Sequence, residues 1–195
     1  MNKLDLAFEK YDAYNRMDPV SYTYNGEVFP EEYFLANRLY EWVLKLDPQP
    51  SEELLLASRS QHIGRWEIPR SQYPDGKAGY LDWRRNLAVF HADKSTAIMK
   101  EVGYGQDQID RVRQFLLKKK IKVDKEVQTL ENALCLVFLE FQYEDFFPKY
   151  EAEKIVNILR KSLLKMDEKG REHALTLHYS DEGLNYIKQA LEQIS

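Results

Sequence analysis

Residues 80–103 read YLDWRRNLAVFHADKSTAIMKEVG, and their spacing decides the fold class. Tyr80, Arg84, Leu87, His91, Ser95 and Ile98 recur every three or four positions, the period of one helix face. No proline interrupts the run, and Gly103 stands where a helix needs a residue able to turn left-handed. The face mixes an arginine, a histidine and a serine with two apolar residues. Buried polar groups need partners, and a solvated stripe would omit Leu87 and Ile98. The mixture predicts a helix that lines a cleft.

Helical spacing extends in both directions from this segment. Leu4, Phe8, Tyr11 and Tyr14 form a first helix that Pro19 closes, and the loop SYTYNGEVFP follows with Asn25-Gly26 as its turn. Pro30 starts the next helix, whose apolar stripe is Leu35, Leu39, Trp42 and Leu46. Ser51-Glu52-Glu53 caps a third helix, expected to run through LLLASRSQHIGRW and to stop before Pro69. Beyond Gly103 the pattern predicts helices over 106–119, 125–141, about 149–167, about 170–176 and 180–194. The expectation is an all-α, compact multi-helix bundle forming a single helical domain over residues 1–195.

Bulk properties bound the function. A chain of 195 residues is long enough for one sizeable core. No run approaches eighteen apolar residues, so no membrane span is expected, and the acidic start MNKLDLAFEK does not fit a secretion signal. A cytoplasmic location follows as the expectation. The single cysteine, Cys135, excludes an intrachain disulfide and reads as a buried small hydrophobe in ENALCLVFLEF. Net charge −4 argues against a general grip on nucleic acid, and the Lys118–Lys122 run reads as a solvated helix end. Nothing in the composition decides the oligomeric state.

The charge is unevenly distributed. Between Arg59 and His91 the chain holds six Lys/Arg against three Asp/Glu, together with two of its four histidines and two of its three tryptophans. Such a segment in an acidic protein suits a small anionic or phosphorylated ligand. Arg59, Arg65, Arg70, Arg84 and Arg85 offer guanidinium forks that match phosphate or carboxylate oxygens. Ser71, Tyr73 and Lys77 add donors from the Pro69–Gly79 loop, and Trp66 offers a face for stacking.

On a helical wheel Arg59, His62 and Trp66 fall near one side. His91 lies on the stripe of the following helix, and Glu131 at the edge of the apolar face made by Val127, Leu130, Leu134, Val137 and Phe141. Two imidazoles and a carboxylate are a chemically coherent set for a divalent metal such as zinc, manganese or iron, with positions left for water. Such a metal would generate a nucleophile near neutral pH. The expectation is therefore a metal-dependent hydrolase of a small phosphorylated or nucleotide-like substrate. His62, His91 and Glu131 would be its ligands, Glu67 a base or orienting group, and Arg59, Arg70 and Arg84 would neutralise developing charge. The alternative is a non-catalytic protein using the same arginines to bind an anion or an acidic partner.

The run SRSQHIGRWEIPRSQYPDGKAGYLDWRR, with the FHADKS segment and EVQTLENALCLVFLE, closely resembles the family of domain of unknown function 4202. That resemblance implies a compact protein without an assigned activity. More distantly, the chain resembles the all-helical HD phosphohydrolases. Gln61 and His62 stand where that family's His-Asp pair is expected, and Glu131 looks like its later acidic ligand. The likeness implies an HD-like bundle with a departure at Gln61. It leaves open a metal set on His62 and His91, or a fold that kept only anion binding.

Overall fold

Asn2 opens the first helix, α1 (Lys3–Asn15): its side chain accepts the Asp5 amide, and the Asp5 carboxylate accepts the Asn2 amide in return. The computed structural model describes residues 2–194, and these are all-α apart from one small hairpin. The hairpin pairs β1 (Ser21–Tyr24) with β2 (Glu27–Pro30), Tyr22 opposite Phe29 and Thr23 opposite Val28. Asn25 and Gly26 both take positive φ, 51° and 83°, the geometry that joins two twisted strands most directly. The segment was expected as a loop. What makes it a hairpin is Phe34 on the next helix, against which Tyr22 stacks at 4.6 Å and Phe29 packs at 5.5 Å.

Helix α2 (Glu31–Leu46) buries the expected stripe Leu35, Leu39, Trp42 and Leu46. Helix α3 (Glu52–Ser60) begins where the Ser51 hydroxyl accepts the Leu54 amide. It stops at Ser60, well before the expected end near Trp66. Gly64 adopts φ 70°, and a Cβ there would meet Glu67 Oε1 at 2.9 Å and Phe90 at 3.0 Å. Beyond the turns that follow Ser60, the chain takes left-handed backbone at a position only glycine fills comfortably. One 3-10 turn follows at Arg65–Glu67 and another at Arg70–Gln72.

Helix α4 runs from Gly76 to Val102, starting four residues earlier than its apolar period indicates. Trp83, Leu87, His91, Ser95 and Met99 form its buried stripe, while Tyr80 is 46% exposed. The face has slid from the expected one: Trp83 and Met99 take the places given to Arg84 and Ile98. Trp83 is drawn inward because its Nε1 donates to the Ile68 carbonyl at 2.8 Å. Gly103 ends the helix at φ 91° as expected.

The remaining helices are α5 (Gln106–Leu116), α6 (Lys125–Phe141), the short α7 (Tyr143–Phe146), α8 (Ala152–Lys165), α9 (Glu168–Leu175) and α10 (Asp181–Glu192). Contacts divide the chain into two compact units. One takes the chain up to Leu44 with Gln49–Lys119, the other Lys45–Pro48 with the chain from Lys120 on. In the first, α1, α3, α4 and α5 pack on one another; in the second, α6 packs on α8 and α9, and α8 on α10. Cys135 is buried in the second unit with its Sγ 3.8 Å from the Ser162 carbonyl, as a small apolar residue would be. Among the described residues no helix is long and apolar enough to cross a membrane.

Candidate functional site

The chain after α3 is held open by a set of interactions from α1 and α4. Tyr14 of α1 donates a short hydrogen bond to Glu67, and Lys94 of α4 donates to the Tyr14 hydroxyl and lies 3.6 Å from Glu67. Trp66 packs against Tyr14 at 5.8 Å. Farther along α4, His91 is 97% buried and its Nδ1 lies 2.8 Å from the Ile63 carbonyl oxygen. These contacts fix residues 61–68 as an ordered turn across the face of α4.

Between that turn, α4 and the end of α5 lies a cavity of about 220 Å³. Its walls carry Gln61, His62, Arg65, Arg84, Arg85, His91 and Lys118, with Leu87, Ala88, Leu116 and Leu117 supplying the apolar surface. Four cationic side chains line it, and no carboxylate does. Arg85 shares its charge with Asp82 at 3.1 Å on the surface. Arg84 has no ion-pair partner among the described residues.

The two imidazoles face each other, with ring centroids 5.8 Å apart. Burial holds His62 well below the usual histidine value, and the Arg65, His91, Arg84 and Lys118 charges push the same way. His91 is lowered to about 4, again chiefly by burial, against the opposing pull of the Ile63 carbonyl. Both rings are neutral at pH 7. Arg65 also borders a second cavity of about 190 Å³, shared with Trp66, Arg70, Trp83 and Glu32. Glu32 sits 3.8 Å from Arg65 Nε and 3.9 Å from His62 Nδ1. Burial raises its carboxyl to about 8 despite Arg65, so it is largely protonated at neutral pH.

The expected metal centre is corrected by this arrangement. Among the described residues no group of three His, Cys, Asp or Glu side chains stands where it could hold a metal ion. His62 and His91 are neighbours, but His91 Nδ1 is spent on Ile63 and cations surround both rings. Glu131 belongs to the other compact unit, where it is buried and 3.5 Å from Lys165 Nζ. The zinc, manganese or iron cofactor and the metal-dependent hydrolase built on His62, His91 and Glu131 fall with that finding. So does the HD-like metal motif: among the described residues no group of three ligating side chains forms around Gln61 and His62.

The other anticipated residues are scattered, because the wheel drawn through 59–66 assumed a helix that ends at Ser60. Arg59 is 93% buried and donates short hydrogen bonds to Asp12 and a 2.6 Å bond to Asn37 Oδ1. Trp66 and Arg70 border the smaller cavity. Arg70 braces its loop by donating to the carbonyls of Tyr73 and Pro74, both at 2.8 Å. The Tyr73 hydroxyl accepts from Asn86 at 3.0 Å, while Ser71 and Lys77 are exposed. Of the expected arginines, Arg65, Arg84 and Arg85 line the larger cavity. Gln61 and Lys118 join them there. Nothing local marks Lys118 for that position: it arrives through the packing of α5 on α4.

Neither a curated protein nor a solved structure matches this chain. The family model described as domain of unknown function (DUF4202) matches residues 5–187, and the chain belongs to that family.

Proposed function

We propose that the cavity beside His62 and His91 binds a small anion bearing a phosphate or carboxylate group. One observation carries this reading: four cationic side chains and no carboxylate line one cavity of a protein with net charge −4. Positive charge at low local dielectric attracts an anion more strongly than the same charge on an open surface. Arg84, without an ion-pair partner among the described residues, supplies the most available guanidinium, and Arg65 lines the same cavity 3.8 Å from a Glu32 carboxyl that burial largely neutralises. Guanidinium forks suit the planar and tetrahedral oxyanions in question.

Thermal unfolding with added sulfate, compared with chloride at matched ionic strength, tests the reading. Specific binding raises Tm in a saturable way that chloride does not reproduce. Identical curves in the two salts contradict it.

A further inference from the structure

Resting on that anion reading, we infer that the ligand also carries a neutral hydrogen-bond donor and is a small hydroxylated phosphomonoester. The cavity is not cationic throughout. Two of the groups lining it offer acceptors. The first is His91: its Nδ1–H donates to the Ile63 carbonyl, which leaves Nε2 as a lone pair on a ring that lines the cavity. The ring is neutral near pH 7, so this nitrogen accepts and does not donate.

The second is Gln61. It is 97% buried and lines the same cavity, yet its Oε1 has no hydrogen-bond partner among the described residues. A buried carbonyl without a donor is costly, and such groups in native structures ask for an explanation. A simple oxyanion leaves both acceptors unmet, because at neutral pH it brings few or no donors. A ligand with an oxyanion at one end and hydroxyls at the other meets the arginines with the first, and with the second His91 and, after a rotation of its amide toward the cavity, Gln61. Leu87 and Leu116 then face its carbon atoms.

Size narrows the class. The cavity of about 220 Å³ holds roughly seven waters at about 30 Å³ each. It lies below the roughly 300 Å³ at which sites for drug-sized ligands begin. A three- or four-carbon phosphate fits that space.

Calorimetric titration with inorganic phosphate, glycerol phosphate and propyl phosphate tests the inference. The two esters are close in size and differ in their free hydroxyls. Glycerol phosphate should bind at least about fivefold tighter than propyl phosphate, the effect of one or two additional neutral hydrogen bonds. In Gln61→Leu, and in His91→Asn, whose amide can still donate towards Ile63, the ratio should fall toward one. Binding of propyl phosphate in each variant reports that the cavity is still formed. Equal affinities for the two esters in the wild type, or a ratio that survives both substitutions, overturns the donor requirement and leaves anion binding standing. Failure of all three probes to bind removes the anion reading and this inference with it.

Discussion

His91 Nδ1 lies 2.8 Å from the carbonyl oxygen of Ile63, and this bond joins the middle of the longest helix to the turn that follows α3. It sets the tautomer of the ring. It also satisfies a backbone carbonyl that no regular helix hydrogen bond serves, since α3 has ended at Ser60. Replacing His91 with Phe keeps the bulk and strands that carbonyl. The expected loss is about 1–3 kcal/mol in chemical denaturation, with His91→Asn losing less. Equal stability of His91→Phe and wild type would show that the bond does not hold the turn.

Both imidazoles are depressed in the fold, so the unfolded chain takes up their protons first as pH falls. Their contribution to stability is complete above about pH 6.5 and drains away as the pH falls toward 4. For His91 alone the change is on the order of 3 kcal/mol by pH 4. Denaturation midpoints measured from pH 7 to pH 4 should fall more steeply in wild type than in His91→Asn. Parallel curves would place the His91 proton affinity near its ordinary value.

Glu32 works in the opposite direction. Its carboxyl is raised to about 8 in the fold, so the folded state holds the proton while the unfolded chain releases it near 4.5. The associated stability is complete below about pH 4.5 and is lost as the pH rises through 8. Glu32→Gln keeps a neutral side chain and removes the titration. The variant should gain relative to wild type as pH rises from 5 to 8, by a margin on the order of 4 kcal/mol at the upper end. A constant difference across that range would show that Glu32 is ionised in the folded protein.

Arg59 and Arg84 should separate in mutagenesis. Arg59 is buried against Asp12 and Asn37, and Arg59→Met leaves the Asp12 carboxylate without its partner. Its expected cost is on the order of 3 kcal/mol of stability. Arg84 lines the cavity without an internal ion pair, so Arg84→Ala should weaken sulfate binding by about tenfold or more while changing stability little. Loss of affinity in Arg59→Met at full occupancy of the folded state, with none in Arg84→Ala, would reverse these assignments.

Much of the fold was legible in the sequence because proline, glycine and capping residues mark helix boundaries locally. Ser51 before α3, Gly103 after α4 and the stripe Leu35, Leu39, Trp42 and Leu46 needed no tertiary information. The candidate site was less legible because one glycine decides its geometry. Helix α3 ends at Ser60, and Gly64 at φ 70° keeps the chain from resuming the helix that would have put Arg59, His62 and Trp66 on one side. The close approach of Tyr14 and Phe90 that requires a glycine there is a long-range fact. Likewise, the edge position of Glu131 on α6 was visible in the sequence, but its neighbour Lys165 on α8 was not. His62 and His91, grouped on their chemistry alone, do stand with their rings 5.8 Å apart, brought together by the turn after Ser60 and not by the helix expected there. Of the cations around them, Lys118 is the one the sequence did not mark.

The most direct test of the anion reading is an NMR titration with inorganic phosphate that follows the imidazole signals of His62 and His91. Saturable shifts of both rings, absent in chloride at the same ionic strength and much weakened in Arg84→Ala, are the predicted result. Shifts that never saturate, or that spread over His173 and His178 as strongly as over His62 and His91, would contradict it.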